Sequence, residues 1–408
     1  MNEQMQKARD CALDILKPTP KELEHGLELH RESLVFESYG FSPSGGYDVE
    51  KLTAALNAGA TPLEYQDLVE DMGMTRKATD PEARRLCLEA WDEAGVTAIF
   101  QNAGQEHEHP LMTIGRLARY NYTADMMRDD APRAFCPEDV EAVHREGKHA
   151  FYMSCNAVPI QDRWVTAEEE FRYIRMFFQL GCRMMHLTYN WRNLLGDGCG
   201  EAANAGLSEL GRLAIKEMNR QGVIVDVAHS GHQTSLEAAQ VSERPMVASH
   251  SGAHALSGHY RCKPDEVVKA IADTGGYCGV CCIPRFLGGK GDITAFLDHI
   301  EHLVKLVGAE HVAIGTDVTH RPEHLERETE NLPPRPLRRK PWRNLWPDAG
   351  HKASEWNKPE QKLSMAWTNW PMFTVGMVQR GFSDDQIRSI LGLNVMRVAK
   401  AAWENREV

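Results

Sequence analysis

From residue 34 to residue 320 the chain alternates between two patterns: short apolar runs rich in β-branched residues, and longer stretches with apolar positions at helical spacing. The short runs are LVFES (34–38), VTAIFQNA (96–103), HAFYMSC (149–155), RMMHLTYN (183–190), VIVDVAH (223–229), PMVASH (245–250), GGYCGVCCI (275–283) and HVAIGTD (311–317). Each has the length and composition of a buried strand. Amphipathic stretches such as AEEEFRYIRMFFQLG and LSELGRLAIKEMNRQG separate them; the second opens on Ser208 and stops at Gly222, as helices commonly do. Eight strands with intervening helices predict a (β/α)8 TIM-type barrel, α/β in class. An open doubly wound sheet is the alternative, because periodicity alone does not show closure.

Around that unit, residues 1–33 read as one or two helices packed before the first strand. The tail from about 361 to 408 reads as helical, with Ser383 and Gln386 forming a capping box. Residues 321–360 break the pattern, holding seven of the twenty prolines and three of the nine tryptophans. Such a density of proline excludes regular helix and strand interiors, so this stretch is expected to form a lid or an interface insertion. The whole, 1–408, is expected to be one domain, since α/β barrels run from about 250 to over 400 residues.

Composition narrows the setting. A formal net charge of −12 with no long basic run disfavours nucleic acid and anionic membrane as partners. The N-terminus lacks an apolar stretch of signal-peptide length, and no run reaches the roughly 18 residues that span a bilayer. Ten scattered cysteines, several in the apolar run around Cys278, Cys281 and Cys282, suit a reducing, cytoplasmic compartment.

The candidate chemistry lies at strand ends. His229 and His250 stand twenty-one residues apart, each closing a buried run and each followed by Ser-Gly. Side chains at the C-terminal ends of barrel strands converge on one face, and two imidazoles converging there make a metal site. Asp317 ends the eighth run beside them. Neutral imidazoles hold a borderline-soft ion such as Zn²⁺, which lowers the pKa of a bound water to about 7. A nearby carboxylate can take that proton and return it to a leaving amine. Arg261 offers a planar fork matched to a substrate carboxylate.

These motifs resemble the membrane (renal-type) dipeptidase family of amidohydrolase-like metallopeptidases. The resemblance rests on D-x-x-H-S-G around His229, S-H-S-x-A at His250, H-x-R-x-x-x-D (His259, Arg261, Asp265), the T-G-G strand after it, and G-T-D at Asp317. It implies that His229 and His250 bind the more buried zinc, that Arg261 grips the substrate carboxylate, and that Asp317 helps hold the water. Family members are often dimers, so a homodimer or larger homo-oligomer is implied as well.

The chain departs from the family at three places. Tyr39 and Phe41 stand where the first strand should supply a His and an Asp, leaving Glu37 in a supporting role. Cys155 or Asn156 stands where a Glu should bridge two metals, and Tyr189 replaces a substrate-binding His. The expected centre is therefore mononuclear, with Cys155 as a candidate third ligand, Asn156 being the other residue the register could place there. The loop TYNWRNLLGDGCGE (188–201) is expected to line the substrate pocket through Tyr189, Arg192 and Asn193. His107 and His109 are weaker pocket candidates; His320 can reach the mouth of the site. The leading expectation is a metal-dependent hydrolase acting on an amide-like C–N bond in a small carboxylate-bearing molecule, with about one Zn²⁺ per chain. Two alternatives stand beside it: a metal-assisted lyase or isomerase using Tyr189 and Asp317 as acid and base, and an inactive ligand-binding homologue.

Overall fold

The structure, a computed structural model, describes residues 1–104, 110–160, 166–325, 346 and 354–407. His107, His109 and most of the 321–360 insertion lie outside the described residues. All eight anticipated strands form: β1 (Phe36–Gly40), β2 (Ala98–Asn102), β3 (Ala150–Cys155), β4 (Cys182–His186), β5 (Ile224–Asp226), β6 (Val247–Ser251), β7 (Tyr277–Val280) and β8 (Val312–Ile314). They pair in parallel in the order β1 to β8. Helices surround this nearly closed (β/α)8 TIM-type barrel. The seam between β8 and β1 is closed at the top, where the Asp317 N–H donates to the Tyr39 carbonyl at 3.3 Å.

Glu37 rivets that seam. Its Oε1 accepts from the Thr316 N–H (3.1 Å) and the Thr316 hydroxyl, and its Oε2 accepts from Trp367 Nε1 at 2.8 Å. The supporting role expected of Glu37 is thus structural. Several strands are shorter than their apolar runs. The run 223–229 yields only three strand residues, because the Asp226 carboxylate accepts the Ala228 N–H (2.8 Å) and turns the chain.

Strand alternation divides the apolar residues into an inner and an outer set. Phe36, Phe100, Tyr152, Met184, Ile224, Val247 and Tyr277 pack together inside, and Phe36 stacks on Phe100 with centroids 5.2 Å apart. The last helix, Asn394–Glu404, adds Val395, Met396 and Val398 to the same cluster and plugs the floor. The filled floor leaves the C-terminal ends of the strands as the place for polar side chains. Two helices, α1 (Glu3–Leu16) and α2 (Pro20–Glu32), precede β1. The Ser383–Gln386 capping box and the Ser208 cap form as the sequence predicts.

Candidate metal centre

Three buried histidines meet at the top of the barrel: His186, His229 and His250, with one ring nitrogen from each within 4.8 Å of the others. His186 ends β4, two residues after the inward-facing Met184, so alternation turns it inward as well. His229 follows the turn that Asp226 imposes on β5. His250 lies in β6 where the pairing register with β7 shifts between Ala248 and Ser251, an irregularity of the kind that re-aims side chains.

The hydrogen bonds fix where each ring keeps its lone pair. His186 Nδ1 is 3.0 Å from the Cys155 carbonyl, and His229 Nδ1 is 2.8 Å from Asn190 Oδ1. Both partners only accept, so both Nδ1 atoms carry the proton. His250 Nδ1 lies 2.8 Å from Ser249 Oγ, whose own proton goes to Asp226, so this Nδ1 also donates. All three Nε2 atoms are left with lone pairs. His229 Nε2 and His250 Nε2 face each other at 3.0 Å, and buried His186 Nε2 has no hydrogen-bond partner among the described residues, although it stands 3.2 Å from Asp226 Oδ2. Lone pairs facing one another in a buried site call for a shared cation. Zinc suits neutral imidazoles, and 3.0 Å is within a few tenths of an ångström of the roughly 3.3 Å between two nitrogens on one tetrahedral zinc. The donor set fits the ion.

The surroundings keep these rings neutral. Burial, reinforced by the Arg261 guanidinium, holds His229 and His250 well below the usual histidine range. Burial also lowers His186, against the opposing pull of Asp226. Aromatic rings cover the cluster: Tyr39 stacks on His250 with centroids 3.8 Å apart, and Tyr189 stacks on His229 at 3.9 Å. Trp346, from the Pro/Trp-rich stretch, is buried with its ring 6.4 Å from that of His229. Arg261 is fully buried. Its Nη1 donates to the Ala228 carbonyl, its Nη2 donates to the His250 carbonyl (3.0 Å) and lies 3.4 Å from His229 Nε2, and its Nε has no partner among the described residues. Asp317 sits at the mouth with a left-handed backbone, φ 59°, which few residues other than glycine adopt. Burial pushes its carboxyl up to about 7, with Arg261 opposing.

Not every residue singled out in the sequence joins this cluster. The Cys155 thiol faces the outer core and lies 3.3 Å from Cys182 Sγ; it stands apart from the imidazoles. Asn156 faces the site instead, accepting the Tyr39 hydroxyl at 2.6 Å. Arg192 is bound twice to Asp197, at 2.5 and 3.0 Å, and Asn193 accepts the backbone N–H groups of Leu195 and Gly196. Both hold the 188–201 loop in shape. Sequence reasoning missed His186, Asp226 and Asn190. Asp226 was visible as the first residue of D-x-x-H-S-G, and Asn190 as the neighbour of Tyr189.

Beside the mouth lies a cavity of about 880 Å³ whose wall includes Asp317, His320 and Lys77. The three histidines are not part of that wall.

Comparison with known proteins agrees with this architecture. Residues 58–331 match the model of the membrane dipeptidase family, peptidase family M19. The chain is 26% identical over 281 residues to dipeptidase tcpJ of Claviceps purpurea (strain 20.1), covering 68% of this chain but only 56% of that relative's length. Among solved structures, an amidohydrolase from Pseudomonas aeruginosa superposes with a TM-score of 0.66 at 24% identity, covering 93% of this chain and 99% of its own. The probable dipeptidase PvdM from Pseudomonas aeruginosa gives 0.65 at 20% identity, covering 95% and 100%. At those identities the two structures speak for the fold. Among the described residues, no helix is long and apolar enough to cross a membrane.

Proposed function

This chain belongs to the membrane dipeptidase family, peptidase family M19, and from that premise we propose that it is a metal-dependent, dipeptidase-like hydrolase. Its substrate, on this reading, is a small carboxylate-bearing molecule with an amide or peptide-like C–N bond. One observation carries the reading: three buried imidazoles each give Nδ1–H to a fixed acceptor or hydroxyl, and so present Nε2 lone pairs to a common point. Metal-binding histidines are oriented in this way by a second hydrogen bond.

In this proposal His186, His229 and His250 hold about one zinc ion per chain, His186 taking the place that sequence reasoning offered to Cys155. When bound, the ion supplies Lewis acidity toward a carbonyl and toward water. The protein's own groups do the rest. Asp317, with its carboxyl pushed up to about 7, accepts a proton near neutral pH and returns it to the leaving amine. Arg261 keeps one buried donor, Nε, without a partner among the described residues, and a substrate carboxylate would satisfy it. Tyr189 lies against His229 and adds a hydroxyl at the site, while Arg192 and Asn193 stiffen the loop that carries it. All ten cysteines are free thiols, which favours a cytoplasmic setting.

The test is metal analysis combined with hydrolysis. Purified protein loaded with zinc should retain about one ion per chain and release amine from a panel of dipeptides and N-acyl amino acids. Protein that retains no zinc after loading, or cleaves nothing in the panel, overturns the proposal.

A further inference from the structure

The cavity beside the barrel mouth offers a ligand apolar surface. Phe41, Tyr47, Val69, Ile283, Trp356 and Leu363 all lie on its wall and are half-buried, so part of each side chain faces open space. Two charges on the same wall are taken up elsewhere. The Lys77 ammonium is enclosed by Ser42 Oγ (2.6 Å), the Pro43 carbonyl (3.0 Å) and the Phe151 ring (5.6 Å), and Glu70 is drawn to Arg116 at 3.5 Å. A volume of about 880 Å³ falls in the upper part of the range, about 300–1,000 Å³, of pockets that hold drug-sized ligands, and those pockets are lined mainly by apolar and aromatic side chains.

Gly73 shows independently that this space is kept open. It lies on the cavity wall, inside the helix Pro62–Thr79 and with ordinary helical backbone, where glycine is destabilising relative to alanine. The nearest atoms that a Cβ would meet there belong to the Tyr47 ring, the first at 3.4 Å. Neither backbone conformation nor a close neighbour calls for glycine at this position; room in the cavity does.

The cavity adjoins the histidine cluster at the β8–β1 seam. Phe41 packs edge-on against Tyr39 with centroids 5.9 Å apart, and Tyr39 in turn stacks on His250. Asp317, also on the wall, donates its N–H to the Tyr39 carbonyl. Arg261 is bound instead to the carbonyls of Ala228, after β5, and His250, in β6, which the strand order places across the barrel from that seam. A substrate with its carboxylate on Arg261 and its amide at the histidines therefore points its acyl end toward Phe41.

We propose that this cavity is the acyl subsite and takes a large aromatic acyl group, so that the preferred substrates are N-arylacyl amino acids and not dipeptides of small residues. This rests on the hydrolase reading above, which places Arg261 on the carboxylate and Asp317 at the reacting bond. Phe41, Tyr47 and Trp356 are then specificity-determining residues.

The probes are ketomethylene analogues, with a methylene in place of the amide N–H, of N-(naphthylacetyl)alanine and N-acetylalanine in both stereochemical series. Calorimetry on the zinc-loaded protein gives their affinities. In one series the naphthyl analogue should bind at least about tenfold more tightly than its acetyl partner, from the apolar area it buries. Gly73→Leu fills the cavity from the helix; it should bring that ratio toward one and leave the acetyl analogue's affinity unchanged. Should Gly73→Leu fail to fold, as its melting curve would report, Leu363→Trp fills the same cavity from another element. Equal affinities in both series, or a ratio that survives filling of the cavity, overturn the proposal. Equal hydrolysis of N-acetyl and N-naphthylacetyl amino acids removes this proposal alone; naphthyl-selective binding that filling abolishes, with no amide cleaved, removes the hydrolase reading instead.

Discussion

An imidazole can offer one nitrogen to a cation only while the other keeps the proton, so the acceptors behind the three rings matter as much as the rings. Those acceptors are the Cys155 carbonyl, Asn190 Oδ1 and Ser249 Oγ. Replacing His186 with Ala should lower zinc affinity at least about 100-fold, beyond the loss typical of a supporting residue. Cys155→Ala should leave it unchanged, because the thiol faces Cys182; competition with a chromophoric chelator measures both. His229 and His250 were legible because each closes a strand-like run before Ser-Gly. His186 was not, because it lies inside RMMHLTYN, where nothing in the spacing separates an inward-facing ligand from a core residue. Asp317 supports a second prediction. As a proton acceptor it works only when ionised, so kcat/KM should rise with pH through about 7, the value to which burial pushes its carboxyl, and level off above. Asp317→Asn should abolish that limb and cost about 10²–10⁴ in rate; a variant that keeps the pH profile removes Asp317 from the mechanism.

The strands were legible as a set and blurred at their ends. Every apolar run contains a strand, because a parallel sheet covered on both faces needs continuous apolar residues. The runs overshoot where polar side chains end the pairing, as Asp226 does after β5. Closure of the barrel could not be read from periodicity, since the seam is made by long-range contacts between residues 37–39 and 316–317. That seam has a pH signature. Burial pushes the Glu37 carboxyl up to about 8 despite the opposing hydrogen bonds from Thr316 and Trp367. The folded chain therefore holds this proton more tightly than the unfolded chain, where the group titrates near 4.5. The stability Glu37 contributes is intact below about 4.5, declines as pH rises toward 8, and is level beyond that, with a slope of at most about 1.4 kcal/mol per pH unit. Denaturant melts across this interval should show a shallower decline in Glu37→Gln; identical slopes would mean that Glu37 is ionised in the fold.

At the scale of the whole molecule, the proposed metal cluster is closed off. His186, His229 and His250 are at most 3% exposed, with Tyr39 and Tyr189 stacked over two of the rings and Trp346 nearby. With the rings buried under this cover, entry and exit of an ion are expected to require the aromatic cover to move. Affinity and exchange rate should then separate. Affinity depends on the three nitrogens and on selective binding to the folded state, which at 100 times Kd adds about 2.7 kcal/mol of stability. Exchange depends on how often the cover opens. Tyr39 tests this, because its ring covers His250 while its hydroxyl is tied to Asn156. Tyr39→Phe removes only the tie, and Tyr39→Ala removes the ring. Stopped-flow release of zinc to an excess of chelator should be slow in the wild type, faster in Tyr39→Phe, and at least about tenfold faster in Tyr39→Ala, a change in opening free energy of about 1.4 kcal/mol. Equilibrium affinity should change much less across the three proteins. If all three release zinc at one rate, the cover does not gate the metal, and the route to the cluster runs elsewhere in the barrel mouth.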